Sequence, residues 1–202
     1  MNGREMMEKA LRLAEGARDR IQGIAGFRCM DGERIDRTRL VISARDIGLT
    51  GYALDKILFE EYAVNMELAD YENVLAVVTY ANEAEDVDRL IAACMDIGRR
   101  YAGQSALRGE DRYPPFPQLP QQVMTPRRAY FSDTEMVCWQ EAAGRVAGQL
   151  IAPYPPGIPV IYPGERISQE VWDYIECFRR DGRHIHGAGQ DGRLDRVKVK
   201  KI

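Results

Sequence analysis

Apolar residues recur at Met6, Ala10, Leu13, Ala17 and Ile21, with Met7, Leu11 and Ala14 beside them and Arg and Glu between. That spacing is one face of a 3.6-residue helix, so it predicts a long amphipathic helix over 4–24. Arg39-Leu40-Val41-Ile42-Ser43 is a short β-prone run, and Thr50-Gly51-Tyr52 then introduces Leu54, Ile57, Leu58 and Tyr62 at helical intervals. Strand is followed by helix. Val64 to Leu68 and Val74 to Thr79 read as two more strands about the turn-like Asp70-Tyr71-Glu72-Asn73. Asn82 is placed to cap a helix whose apolar face holds Val87, Leu90, Ile91, Cys94 and Ile97. The order β-α-β-β-α predicts an α+β sandwich, a small sheet with helices on one face, in preference to a doubly wound parallel sheet. No Gly-rich nucleotide fingerprint follows any of these strands.

The periodicity breaks down between Gly103 and Gln122, where Tyr113-Pro114-Pro115-Phe116-Pro117 and Pro120 predict a linker or an extended connection. Beyond it, Thr134 to Leu150 reads as a helix, Gln169 to Arg180 as another ending at Asp181-Gly182, and Val197-Lys198-Val199-Lys200 as an edge strand whose lysines discourage pairing with other chains. The expected organisation is a linking helix (1–24), a small α+β domain (25–103), a Pro-rich linker (104–124) and a small α+β C-terminal domain (125–202).

Between the last two predicted helices runs Ala152-Pro153-Tyr154-Pro155-Pro156-Gly157-Ile158-Pro159-Val160-Ile161-Tyr162-Pro163-Gly164-Glu165. Proline fixes φ, removes a backbone donor and constrains its predecessor, so a regular helix is excluded here. Val160 and Ile161 are expected to dip into a core before Pro163-Gly164 turns the chain outward and presents Glu165. The plain alternative is a structural turn with a solvated glutamate.

Composition narrows the class. The 202 residues can bury one large core or two small ones, with 45% apolar and 29% charged residues. A net charge of -3 gives no reason to expect nucleic-acid binding. No apolar run approaches a bilayer span and the N-terminus is charged and helix-periodic, which predicts a cytoplasmic protein without membrane contact. Cys29, Cys94, Cys138 and Cys177 have no C-x-x-C spacing, so free thiols are expected.

The Pro-rich run, with Pro126-Arg127-Arg128-Ala129-Tyr130-Phe131 and Gly144-Arg145-Val146 upstream, closely resembles the C-terminal region of the ornithine/lysine/arginine decarboxylases. These are pyridoxal-phosphate enzymes of the aspartate-aminotransferase fold type. The resemblance takes in Asp46-Ile47-Gly48-Leu49-Thr50-Gly51-Tyr52 and Glu67-Leu68-Ala69-Asp70, and so covers nearly the whole chain; its most specific part is Pro153 to Glu165. It implies that the first half is the small domain following a cofactor-binding domain. It also implies that Glu165 recognises the distal cation of a basic amino acid, with Tyr154 and Gly157 shaping the loop around it. By the same resemblance, Gln149 stands where many members of the family carry an acidic residue after the Gly-Arg motif.

Pyridoxal chemistry needs a Schiff-base lysine, a phosphate cradle and an acid at the pyridinium nitrogen. Lys9, Lys56, Lys198, Lys200 and Lys201 are the lysines, and none has the Ser-x-His-Lys setting of the family. The expectation is therefore a truncated or separately encoded C-terminal part, inactive alone, that relies on an upstream pyridoxal domain in cis or in another chain. It is expected to form homo-oligomers. A non-catalytic module that binds a decarboxylase large domain or the full-length enzyme is the alternative. A metal hydrolase using His184 and His186 lacks further ligands at suitable spacing, so the pair reads as part of a loop. Glu67 and Asp70 read as a strand end and an Asp turn, and no serine has a nucleophile-elbow context.

Overall fold

The computed structural model describes residues 2–106, 115–180, 182–187, 189 and 192–201. The chain divides into two compact units, 1–112 and 113–202.

In the first unit, α1 (Gly3–Gln22) starts in a capping box: Asn2 accepts from the Glu5 amide and the Glu5 carboxylate accepts from the Asn2 amide. Ala10, Ala14, Ala17 and Ile21 form its buried seam, as the periodicity requires. Arg18 is buried with them, against the expectation that the arginines lie on the polar face. Its guanidinium donates to the carbonyls of Met30, Arg37 and Arg39, which closes the connection between β1 (Arg28–Cys29) and β2 (Arg39–Ser43). A buried cation is tolerated when its donors are spent in this way.

A turn of 3-10 helix (Arg45–Ile47) leads to α2 (Gly51–Tyr62), capped by the Thr50 hydroxyl on the Ala53 amide. The strands β3 (Leu68–Ala69) and β4 (Val74–Val77) follow, and then α3 (Ala84–Arg100). The four strands make one antiparallel sheet in the order β1-β2-β4-β3, with Leu40 opposite Ala76 and Ile42 opposite Val74. In β2, Leu40 and Ile42 are fully buried while Arg39, Val41 and Ser43 are not, which marks the face covered by helices. Each such apolar side chain contributes about 1.5–3 kcal/mol. The α+β class follows the sequence pattern. The short strand β1 is additional, the strand expected over Val64 to Leu68 shrinks to Leu68–Ala69, and the cap of α3 is Glu83 with Asp86; Asn82 instead accepts from the Thr79 amide. Gly51 lies hard against the Asp70–Asn73 turn, where a Cβ would fall 2.1 Å from the Asn73 carbonyl oxygen.

In the second unit, α4 (Pro126–Tyr130) precedes β5 (Thr134–Cys138), a 3-10 turn (Trp139–Glu141), β6 (Ala152–Tyr154), α5 (Gln169–Arg180), β7 (His184–His186) and β8 (Arg196–Lys200). The helix expected over Thr134 to Leu150 does not form. Its first residues pair antiparallel with β8, from Thr134 opposite Lys200 to Cys138 opposite Arg196. Gly144 takes a φ of +82°, and Gly148 abuts Lys198 and Thr134 closely enough that a Cβ would crowd both. Strand pairing and close backbone approach override the apolar spacing. Arg145 holds the segment together by donating to the Lys200 carbonyl and the Glu135 carboxylate. The core is built on Trp139, Ile151, Ile161, Ile167, Ile175 and Val197. Residues 107–114 of the expected linker and Asp181 at the expected helix end lie outside the described residues.

Candidate functional site

The Pro-rich run folds as a strap across the second unit. Its first part, β6, pairs with β7, placing Tyr154 opposite His184 and Ala152 opposite His186. The chain then turns at Pro155-Pro156-Gly157, closed by the Gly157 amide on the Pro153 carbonyl at 2.9 Å. Gly157 has a φ of +83°. The strap returns so that the Val160 amide meets the Ile151 carbonyl, and Val160 and Ile161 enter the core at 4% and 0% exposure. That dip is the one expected from two apolar residues framed by prolines.

Pro163-Gly164 makes the second turn, with Gly164 at a φ of +92°. Its carbonyl accepts from the amides of Val123 and Met124, and its amide donates to the Ala147 carbonyl. The Ala147 amide donates to the Glu165 carbonyl at 2.8 Å. The turn is therefore pinned on two sides, by 122–124 and by 147. The Glu165 side chain is half-buried, and its Oε2 accepts from the Tyr162 amide at 2.7 Å, which closes the turn on itself. Among the described residues it has no Arg or Lys partner. A carboxylate oriented by a backbone amide and left without a cation is an acceptor for one.

Tyr154 and Gly157 form a different group. The Tyr154 ring lies edge-on to His186 with centroids 5.1 Å apart and to His184 at 6.4 Å. Gly157 sits under the ring, where a Cβ would meet Tyr154 Cδ2 at 3.2 Å. The hydrogen bonds of Glu165 run to Tyr162 and Ala147, and those of the Tyr154–Gly157 group to β7 and Pro153, so the three residues do not share a hydrogen bond or ring contact.

Gln149 bridges two segments: its Nε2 donates to the Gly187 carbonyl and its Oε1 accepts from the Lys198 amide. The amide side chain supplies the donor and the acceptor together, and nothing in the local sequence signals it. His184 and His186 are on a strand and not in a loop; H-x-H alternation beside the buried Ile185 was the available sign.

Beneath the strap, Trp139 stacks on Trp172 with centroids 5.9 Å apart and donates its indole N–H to Glu176. Arg179 and Arg180 also donate to that carboxylate. Arg179 chiefly holds it below the usual glutamate range.

In the first unit, a cleft of about 320 Å³ is lined by Leu40, Met66, Val78, Val87 and Leu90, with Arg89 and Asp86 beside them. Asp86 is occupied in capping α3, and Asp70 in accepting from the amides of Glu72 and Asn73. Neither is poised for acid–base work. The lysines do not fit a pyridoxal site: Lys9 pairs with Glu83 at 2.5 Å, Lys56 is exposed on α2, and Lys198, Lys200 and Lys201 lie on or after β8. No group of three or more His, Cys, Asp or Glu side chains suited to a metal occurs among the described residues. No helix among them is long and apolar enough to cross a membrane.

Residues 112–192 match the family model for the Orn/Lys/Arg decarboxylase C-terminal domain. The whole-chain match is to arginine decarboxylases: 34% identity over 207 aligned positions to that of Bacillus subtilis, covering 98% of this chain and 42% of that protein. The Escherichia coli inducible lysine decarboxylase is 39% identical over 105 positions, covering 44% of this chain and 14% of that protein. The chain thus spans about two-fifths of the length of the curated arginine decarboxylases it matches. Among solved structures, the lysine decarboxylase of Francisella novicida superposes with a TM-score of 0.78 at 18% identity, covering 98% of this chain and 40% of the other. The constitutive lysine decarboxylase of E. coli gives 0.76, also at 18% identity.

Proposed function

This chain belongs to the Orn/Lys/Arg decarboxylase family, whose C-terminal domain it carries over residues 112–192, and from that premise we propose that it serves as the C-terminal region of a basic amino-acid decarboxylase. In this reading Glu165 receives the distal ammonium or guanidinium of the substrate, and Tyr154 and Gly157 shape the strap that carries it. The observation behind it is the Glu165 carboxylate itself, half-buried, oriented by the Tyr162 amide and without a cationic partner among the described residues. A carboxylate so placed favours a cationic substrate and penalises an apolar one, which would leave it desolvated and unpaired.

Pyridoxal phosphate, when bound in such an enzyme, supplies the electron sink for loss of CO2. None of the five lysines here is set to hold it, so the proposal assigns the cofactor to another segment of polypeptide and leaves to this chain the recognition of the substrate's far end.

The test is Glu165→Gln in the enzyme that contains this region. Glutamine keeps an oxygen for the Tyr162 amide, so the turn survives and only the charge is lost. Loss of a charge-assisted pair of about 1.5–3 kcal/mol predicts a rise in KM for the basic amino acid of roughly ten- to a hundredfold, with cofactor occupancy unchanged. Equal losses of substrate and cofactor affinity would refute a recognition role.

A further inference from the structure

The two histidines of β7 are the chemistry-bearing residues that the decarboxylase reading leaves unused. They stand two apart on a strand, so their side chains leave the same face, while Ile185 between them is buried at 1% exposure. Both imidazoles are exposed, and no hydrogen bond engages either among the described residues. Their ring centroids are 5.0 Å apart with planes at 80°. Pairing of Ala152 and Tyr154 with β7 fixes the backbone under both.

We propose that His184 and His186 form a bidentate surface site for a divalent transition-metal ion of the imidazole-preferring kind, Zn2+, Ni2+ or Cu2+. An ion about 2.0 Å from a nitrogen of each ring lies about 3.2 Å from each centroid, and centroids 5.0 Å apart then subtend about 100° at the ion. That angle falls between square-planar and tetrahedral values, so the spacing of the two rings suits one ion once rotation about their side-chain bonds brings a nitrogen of each to face it. Gly192 packs against the Nδ1 edge of His184, where a Cβ would fall 2.2 Å from that nitrogen, which leaves Nε2 as the ligating atom of His184. Solvent completes the coordination. The Tyr154 ring beside His186 walls one side of the site, which couples the ion to the strap. Hard cations that demand oxygen ligands, such as Mg2+, are not accommodated.

The experiment is isothermal titration of the full chain with Ni2+, Zn2+ and Mg2+, in a Cys138→Ser/Cys177→Ser background that removes the accessible thiols as competing ligands. One Ni2+ or Zn2+ binds per chain and Mg2+ does not. His184→Ala and His186→Gln each weaken Ni2+ binding at least tenfold, while unchanged emission from Trp139 and Trp172 reports that the fold is kept. Absence of Ni2+ binding at millimolar concentration, or retention of full affinity in either folded variant, overturns the site.

Discussion

Replacing Gly164 by alanine tests whether the Pro-Gly-Glu turn is held by backbone contacts. At a φ of +92° a non-glycine residue costs about 1–2 kcal/mol. The added Cβ would fall 2.3 Å from the Met124 carbonyl oxygen, well inside van der Waals contact, and a backbone oxygen has no rotamer by which to escape. Relief requires the 122–124 segment to move, which disturbs the bonds from the Val123 and Met124 amides to the Gly164 carbonyl, each worth about 1 kcal/mol. The expected loss is about 2–4 kcal/mol. Gly157→Ala is the control. Its φ is similarly positive, +83°, but the new methyl would crowd no backbone atom: its tightest contact is the rim of the half-exposed Tyr154 ring at 3.2 Å, and that ring can turn aside. About 1–2 kcal/mol is expected there. Both tryptophans lie within 113–202, so urea unfolding followed by tryptophan emission reads the second unit directly. If Gly164→Ala proved no more destabilising than Gly157→Ala, the claim that 122–124 clamps the turn would be wrong.

Three further outcomes are expected. Glu176→Gln keeps an acceptor for the Trp139 indole but loses the charged pairing with Arg179 and Arg180, costing about 1–3 kcal/mol near neutral pH. Because the folded-state pKa of Glu176 lies below its ordinary value of 4.5, this stability is present above that value and is lost as pH falls through the folded pKa; urea midpoints against pH should drop in the parent and lack that component in the variant. Gln149→Glu removes the donor to Gly187 and sets a carboxylate against a carbonyl, so a loss of about 1 kcal/mol or more is expected by the same urea measurement. Burial pushes the Cys94 thiol up to about 12, so an aromatic disulfide reagent at mildly alkaline pH should label the exposed Cys138 promptly and leave Cys94 untouched until urea unfolds the chain.

Sequence alone determined those features whose cause is local. The seam of α1, the extent of β2 over Arg39–Ser43, the Thr50 start of α2 and the span Gln169–Arg180 follow from periodicity and capping, which act within a few residues. The proline frame of the strap and the inward dip of Val160 and Ile161 were legible for the same reason: proline restricts its own neighbours whatever surrounds it. Tertiary structure decided whatever depends on partners distant in the chain. Thr134–Cys138 became a strand because β8, some sixty residues later, offers it a ladder. Arg18 could be buried because three carbonyls from another segment receive it, and Glu176, already paired with Arg179 and Arg180 on its own helix, because the Trp139 indole reaches it from 37 residues earlier. His184 and His186 became a facing pair only once β6 gave their strand a partner, and the turn that carries Glu165 is held in place only by the distant Ala147 and 122–124. A residue's propensity travels with its side chain, whereas a hydrogen-bond partner or a close backbone approach exists only after the chain has returned to meet itself.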